Sequence, residues 1–285
     1  MTPRFRLLSL HSSSVLLFLF MLSVVTCAQR STASDGAALT FADMMHFRQI
    51  EHPVIANNGE WIAYTSDPDR GDGEVLVQST GAKSLYTIQR GSRPVFSDDS
   101  RWVGVTRLPP AAEIEKHEKD KDKPKSGFVA FDLQTGDSLS ADSVQAFAFS
   151  HDSRWLAYHK HKAGGGKKEK SSAQDTAGSI GIMPAERIGT DLILRDLGSG
   201  RQTTYSYVLS FAFDSTSVFL AYVRGDSSGT GNALLVVDLR RDALPVKTVD
   251  AQPRASYTGL RWSTTVRLAC VRNPATGKGG VLPGA

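Results

Sequence analysis

Cysteine is scarce in this sequence. The 285 residues include only two cysteines, Cys27 and Cys270. Cys27 lies in an amino-terminal segment that we expect to be removed or lipidated, which leaves Cys270 as the one thiol able to form a disulfide. A single cysteine cannot close an intramolecular disulfide, so the sequence excludes the disulfide-rich scaffolds of small secreted proteins.

A strong charge bias is also missing. The chain has 33 Lys and Arg against 29 Asp and Glu, and Arg4 and Arg6 belong to the amino-terminal segment. This balance removes the main electrostatic motive for binding nucleic acid. Because 40% of the residues are hydrophobic, the chain can bury a core of one or two domains, and it is not a collagen, a coiled coil or a wholly disordered protein.

Long apolar runs are confined to the start of the chain. Residues 1–28 combine a basic beginning, a mostly apolar run over 15–25 and small residues up to Ala28, which is the layout of a secretory signal peptide. The apolar run is too short to span a bilayer. We expect an exported protein, periplasmic or extracellular, cleaved after Ala28. A lipid anchor at Cys27 is the alternative, disfavoured because Thr26 stands where a lipobox usually has Gly or Ala.

One pattern recurs along the chain, with a short apolar strand, a polar turn and a second strand that is apolar on both faces. The clearest copies are Val54-Ile-Ala-Asn-Asn-Gly-Glu-Trp-Ile-Ala-Tyr-Thr65, Val95-Phe-Ser-Asp-Asp-Ser-Arg-Trp-Val-Gly-Val-Thr106 and Ala148-Phe-Ser-His-Asp-Ser-Arg-Trp-Leu-Ala-Tyr-His159, with a weaker copy from Ala212 to Val223 and a degraded one from Leu260 to Val271. In the degraded copy, Arg267 occupies the position of the aromatic residue. Each copy predicts a hairpin whose second strand needs cover on both sides.

A further strand and turn follow each of the first four hairpins, so two hairpins make four strands per repeat. These strands begin at Glu74, Gly127, Asp191 and Ala233. The aromatic anchors Trp61 and Trp102 are separated by about the 40 to 45 residues of a propeller blade. We therefore predict an all-β fold, a β-propeller of four-stranded blades with four or five blades over residues 53–271. A two-sheet sandwich is the competing architecture.

The segments around the blades are polar or short. Over residues 29–52 we predict a linker and a leader helix, because Thr40-Phe-Ala-Asp43 has capping-box spacing and apolar residues up to Ile50 follow with helical spacing. Polar insertions at 109–126 and 160–189 predict solvated loops, with a docking surface or a lid as the alternative. Residues 272–285 predict an irregular Gly- and Pro-rich tail.

The motif Gly225-Asp-Ser-Ser-Gly229 matches the Gly-x-Ser-x-Gly pattern of a hydrolase nucleophile elbow. That elbow requires a helix after the serine and a catalytic histidine later in the chain. Here a β-rich run follows, and all seven histidines precede Ser227. We therefore predict a loop, and an independent hydrolase that uses Ser227 is the least favoured reading.

No pattern predicts a catalytic residue, a metal ligand or a cofactor. His159 and His161 lack a neighbouring carboxylate or cysteine cluster, so we expect a surface pair. The glycine-lysine sequences at 164–167 and 277–278 lack the other residues of a phosphate loop. Core packing, in preference to stacking on a sugar or a base, is expected for the repeated tryptophans Trp61, Trp102 and Trp155.

The repeat resembles a known family. Phe149-Ser-His-Asp-Ser-Arg-Trp-Leu-Ala-Tyr158 is similar to the blade repeat of TolB-type propellers and of the propeller in prolyl oligopeptidase family (S9) serine peptidases. A signal peptide, the leader at Leu39–Asp43, Arg90-Gly-Ser-Arg-Pro94 before the second hairpin, lysine-rich insertions and the strand Gly189–Leu197 follow in the order of the amino-terminal half of secreted bacterial S9 peptidases.

The resemblance extends over about residues 39–260. It implies a non-catalytic segment that gates peptide substrates, since in that family the propeller caps an α/β-hydrolase domain that carries the Ser, Asp, His triad. No catalytic residue is carried over, and we expect residues 261–285 to be a truncated or frame-shifted end. The alternative is a stand-alone periplasmic propeller, like TolB-type modules, that binds a protein partner.

Overall fold

The computed structural model describes residues 40, 43–44, 47–81, 84–120, 123–162 and 188–274. The chain divides into two compact units, residues 1–44 and residues 45–285. In the first unit the Thr40 N–H donates to Asp43 Oδ2 (2.8 Å) and the Asp43 N–H donates to Thr40 Oγ1 (3.2 Å). This reciprocal pair has the geometry of a capping box. The signal peptide, including Cys27, lies outside the described residues.

In its described residues, the second unit is built of antiparallel strands in chain order, with one short helix. The first two sheets are β1 (Arg48–Ile55), β2 (Trp61–Pro68), β3 (Glu74–Ser79) and β4 (Leu85–Gln89), then β5 (Gly91–Phe96), β6 (Trp102–Arg107), helix α1 (Ala111–Lys116), β7 (Gly127–Asp132) and β8 (Ser138–Ala141). The remaining strands are β9 (Val144–Phe149), β10 (Trp155–Lys160), β11 (Thr190–Asp196), β12 (Gln202–Phe213), β13 (Phe219–Arg224), β14 (Ala233–Asp238), β15 (Val246–Ala251), β16 (Ser256–Trp262) and β17 (Leu268–Asn273).

Each sheet is a meander in which sequential strands pair. The orders are β1-β2-β3-β4 and β5-β6-β7-β8, followed by a seven-stranded sheet from β9 to β15 and the β16-β17 hairpin. The seven-stranded sheet is two meanders that share β12. Residues Gln202 to Tyr205 of β12 pair with β11 and Ser210–Phe213 pair with β13, whereas Val208 is in register with Thr190 of β11 and with Arg224 of β13. We call the resulting five meanders blades 1 to 5.

The hydrophobic core lies between successive blades. One cluster joins Val75 and Val77 of blade 1 to Val103 and Val105 of blade 2. The next three clusters join blades 2 and 3, blades 3 and 4, and blades 4 and 5 in the same way. In β10, Leu156 and Tyr158 face blade 2, whereas Trp155 and Ala157 face blade 4. The expected cover on both sides of the second strand is therefore confirmed for blades 2, 3 and 4, whereas β17 is largely exposed, and the all-β, propeller-like fold is confirmed.

A residue in the left-handed region marks each step from one blade to the next. These residues are Arg90, Ser143, Tyr207 and Arg254, with φ between 57° and 61°. Arg90, Ser143 and Arg254 lie between the last strand of one blade and the first strand of the next, whereas Tyr207 lies within the continuous strand β12. At Gly91, which follows Arg90, an added Cβ would lie 2.8 Å from Val105 Cγ1. Only glycine allows β5 to start this close to the core.

Three boundaries differ from the sequence-based expectations. Ile50, assigned by its spacing to the leader helix, lies in β1 opposite Ser66, because the long β2 offers it a hydrogen-bonding partner. The insertion at 109–126 contains α1, where its composition predicted a loop, and no residue of that helix is buried. Strand β17 extends to Asn273, two residues into the predicted tail. Residues 275–285 and most of the insertion at 160–189 lie outside the described residues.

Candidate functional site

The turns between the first two strands of the blades form a polar set that we call the turn surface. It comprises residues 57–60, 98–101, 151–154, 215–218 and 264–266. Its exposed side chains include Asp98 and His151, whose Oδ2 and Nδ1 lie 2.9 Å apart across blades 2 and 3. The surface combines carboxylates, amides and hydroxyls, which suits it to polar recognition of a chain or partner.

Serine hydroxyls link one turn to the next. The backbone N–H of Asn58 donates to Ser100 Oγ (3.1 Å), that of Asp99 to Ser153 Oγ (3.0 Å) and that of Asp152 to Ser217 Oγ (2.8 Å). The three serines are buried and have φ near 60°. Sequence reasoning recognised the turns but missed this role, although the recurring serine was its signal.

A buried carboxylate lies at the same end of blades 2 and 3 as these turns. Asp132 Oδ2 accepts from Arg101 (2.7 Å), and Asp196 Oδ2 accepts from Arg154 (3.1 Å). Burial by itself raises the pKa of Asp196, but the N–H groups of Ser199 and Gly198 and the Arg154 guanidinium outweigh it, so its pKa lies below the ordinary value. These aspartates therefore remain charged and fix the turns after β7 and β11.

Blade 4 reaches a similar arrangement from a different position. Val218 stands where blades 2 and 3 have Arg101 and Arg154, yet Arg240 pairs with Asp238 (2.8 Å) and lies over the Phe219 ring at 5.4 Å. The Arg240 guanidinium lowers the pKa of Asp238 to about 2. A cation over the anchor ring and a paired aspartate thus recur without the same sequence pattern.

The anchor tryptophans are core residues, as expected. Trp155 is 1% exposed and Trp102 is 8% exposed. Trp61 is half-buried and packs on Tyr86, with ring centroids 5.8 Å apart. These rings fill the spaces between blades and do not form a stacking platform.

Ser227 lies exposed in the loop between β13 and β14, and the next described element is a strand. The loop is organised by Asp226, whose carboxylate accepts from Ser228 Oγ (2.9 Å) and from the Gly231 N–H (2.8 Å). A Cβ at Gly231 would lie 2.3 Å from Asp226 Oδ2. The aspartate of this motif is therefore explained by the turn that it organises.

The prediction of a surface histidine pair is wrong for His159. Its ring is 4% exposed, with Nε2 2.8 Å from the Val208 carbonyl oxygen and the Gln145 amide donating to Nδ1 at 2.8 Å. Burial lowers its pKa. His161 is only half-buried, with Nε2 3.2 Å from Ser126 Oγ. The two rings therefore occupy different environments and do not share a site.

The part of the chain that the structure describes holds no cluster of three or more His, Cys, Asp or Glu side chains able to bind a metal. Within those same residues, no helix is long and apolar enough to cross a membrane.

Consecutive four-stranded meanders with a core between each pair define a propeller-like all-β protein. No protein-family model matches the sequence, and no curated protein matches it either. Among solved structures, Pyrococcus horikoshii acylaminoacyl peptidase matches with a TM-score of 0.43 and 11% identity, over 75% of this chain and 34% of the peptidase.

Two further solved structures are similar. The β-propeller domain of the trilobed protease from Pyrococcus furiosus matches with a TM-score of 0.43 and 14% identity, over 75% of this chain and 60% of that one. TolB from Acinetobacter baumannii matches with a TM-score of 0.38 and 14% identity, over 79% and 53%. The chain thus spans less than two thirds of each of these structures.

Proposed function

We propose that this chain is a non-catalytic propeller segment of an exported S9-type serine peptidase, where it restricts and orients the peptides that reach a hydrolase domain. The observation that carries the proposal is that the repeat on which the family resemblance rests, Phe149–Tyr158, forms the hairpin of the first two strands of blade 3. The exposed polar turn surface supports a role in contacting peptide.

Catalysis by the chain itself is tested with a fluorophosphonate probe and short chromogenic peptides. We expect no hydrolysis and no labelling above that of the matched Ser227→Ala variant, because Ser227 lies in a turn that is followed by β14. Stoichiometric labelling that disappears in Ser227→Ala would overturn the non-catalytic assignment.

The gating role is tested in the genomic context of the gene. If a hydrolase domain with a Gly-x-Ser-x-Gly elbow continues the reading frame, the full enzyme should leave casein uncut, and deletion of residues 53–271 should permit its cleavage. Equal cleavage of casein by the two proteins contradicts gating. A reading frame that ends without a hydrolase domain favours the stand-alone binding module.

A further inference from the structure

Two adjoining cavities lie where blades 1 and 2 meet. The first, of about 460 Å³, is lined by the basic residues Arg90, Arg107, Lys123 and Lys125, by Leu108 and three prolines of the insertion, and by the carboxylates of Glu113 and Asp142. The second, of about 370 Å³, is lined by Tyr86, Ile88, Val129 and Phe131, and again by Arg90 and Arg107. We call the combined space the arginine groove, because the two arginines line both of its halves.

The backbone holds these two arginines next to each other. The Leu108 N–H donates to the Arg90 carbonyl oxygen at 2.8 Å, and Gly91 is the register partner of Arg107 in the β5-β6 pair. Gly91 permits this close approach, since any larger residue would meet Val105. The backbones of both arginines are therefore held close together at the β5-β6 pairing.

Among the described residues, Arg90 and Arg107 differ from Arg101, Arg154 and Arg240 in having no acidic partner. Arg101, Arg154 and Arg240 each hold an aspartate. Among the described residues, the side chains of Arg90 and Arg107 form no ion pair or hydrogen bond, despite the carboxylates of Glu113 and Asp142 in the same lining. Unpaired guanidinium groups on a concave surface are available to an anion.

The other half of the groove is aromatic. Tyr86 and Phe131 are half-buried, with ring centroids 4.6 Å apart. The two rings are tilted by 50° to each other and line the groove with apolar surface beside the two cations. Ligand sites commonly combine such an apolar wall with a few charged groups that fix orientation.

We propose that the arginine groove binds an organic carboxylate with a flat apolar body, its carboxylate on Arg90 and Arg107 and its body against Tyr86 and Phe131. This site is independent of the proposed peptidase role, since it needs no hydrolase domain. Both parts of the ligand are required, because the cations select the carboxylate and the rings select the apolar body.

The proposal is tested by calorimetric titration of the purified chain with 2-naphthoate, with acetate and 2-naphthamide as matched probes. We expect 2-naphthoate to bind at least tenfold more tightly than either probe. Arg107→Gln should weaken 2-naphthoate binding about tenfold or more, whereas Arg201→Gln, on the exposed surface of blade 3, should leave it unchanged. Thermal melting of each variant shows whether the fold is retained.

Arg90→Asn serves as a second variant if Arg107→Gln lowers the melting temperature, because asparagine tolerates the φ of 59° at this position. Equal affinity for 2-naphthamide and 2-naphthoate would overturn the role of the arginines. Equal affinity for acetate and 2-naphthoate would overturn the role of the rings. Absence of 2-naphthoate binding, or equal weakening by Arg201→Gln, would overturn the site itself.

Discussion

Ser153 holds a backbone conformation that L side chains rarely adopt, with φ of 57°. Its hydroxyl accepts the Asp99 N–H of the neighbouring blade at 3.0 Å. A left-handed conformation costs about 1–2 kcal/mol for a residue with a Cβ, and a hydrogen bond returns about 1 kcal/mol. Blade 1 has Gly59 at the equivalent position, where a side chain would have no neighbouring atom within 4 Å of its Cβ. Serine therefore occurs where a neighbouring turn uses the hydroxyl.

Substitution of Ser153 separates these two effects. Ser153→Ala keeps the strain and loses the hydrogen bond, so its free energy of unfolding should fall by about 1 kcal/mol. Ser153→Gly loses the hydrogen bond but relieves the strain. Its free energy of unfolding should therefore fall by less than that of Ser153→Ala. Urea denaturation measures both values. A larger loss for glycine than for alanine would contradict this account of the turn.

The hydroxyl of Tyr205 is buried and has no hydrogen-bond partner within the described part of the chain. Removal of a buried, unpaired polar group costs nothing in lost contacts, so Tyr205→Phe should leave the free energy of unfolding unchanged or raise it by up to about 1 kcal/mol. Tyr257→Phe is the matched control, since its hydroxyl donates to Asp250 at 3.0 Å, and it should be destabilising. If Tyr205→Phe costs more than Tyr257→Phe, the hydroxyl has a partner after all.

Residue roles were predictable where the repeat supplied them. The burial of Trp102 and Trp155 followed from their place at the head of strands that are apolar on both faces. His159 was misjudged because its neighbours Lys160 and Lys162 are polar. It continues the same strand as Tyr158, and the Val208 carbonyl and Gln145 that satisfy its ring lie on other strands, which the local sequence does not reveal.

At the scale of elements, His159 connects four strands. Its ring on β10 contacts Gln145 on β9, Thr190 on β11 and Val208 on β12, and the distance to Thr190 Oγ1 is 2.8 Å. These contacts suit a neutral ring that donates through Nε2 and accepts at Nδ1. Protonation of His159 would place a positive charge in a buried site near His161, which opposes it.

This geometry predicts loss of stability in mild acid. Burial lowers the pKa of His159 and of His161 below the ordinary value of 6.5. Above pH 6.5 the histidines are neutral in both the folded and the unfolded chain. As the pH falls below 6.5 the unfolded chain takes up protons first, so the free energy of unfolding decreases, and it levels off below the folded pKa values.

The measurement is the melting temperature between pH 7.5 and pH 5.5. In His159→Gln, which retains an amide donor for Val208, the melting temperature should fall less between pH 7.5 and pH 5.5 than it does in the parent chain. His52→Asn is the control, because the His52 side chain is 44% exposed, and it should retain the full decrease. An equal pH dependence in His159→Gln and the parent chain would show that His159 does not titrate on unfolding.

Helix α1 shows what composition fails to predict about an element. The insertion has too few apolar residues to build a core, and indeed none of the helix is buried. The helix starts after Pro110, and the Ala111 N–H donates to Asp72 Oδ1 at 2.7 Å. This hydrogen bond ties the start of the helix to a distant loop. Composition indicates only how much apolar surface a segment can bury, so it could not predict this contact.

At the scale of the whole molecule, the repeat period was enough to predict successive blades with cores between them. It could not predict that β12 runs unbroken from blade 3 into blade 4, because that depends on the single left-handed residue Tyr207. Nor could it predict Arg240 as the partner of Asp238, since the repeat places its arginine before the anchor. The arginine that pairs with the aspartate can come from different positions in the chain, whereas the repeat pattern shows only one of them.

The central claim is that the second strand of blades 2, 3 and 4 is covered on both faces by the neighbouring blades. Hydrogen–deuterium exchange resolved by strand tests it directly. Strands β10 and β13, buried along nearly their whole length, should exchange most slowly, whereas β1 and β17, largely exposed, should exchange first. Exchange in β10 and β13 as fast as in β1 and β17 would contradict the stacked-blade architecture.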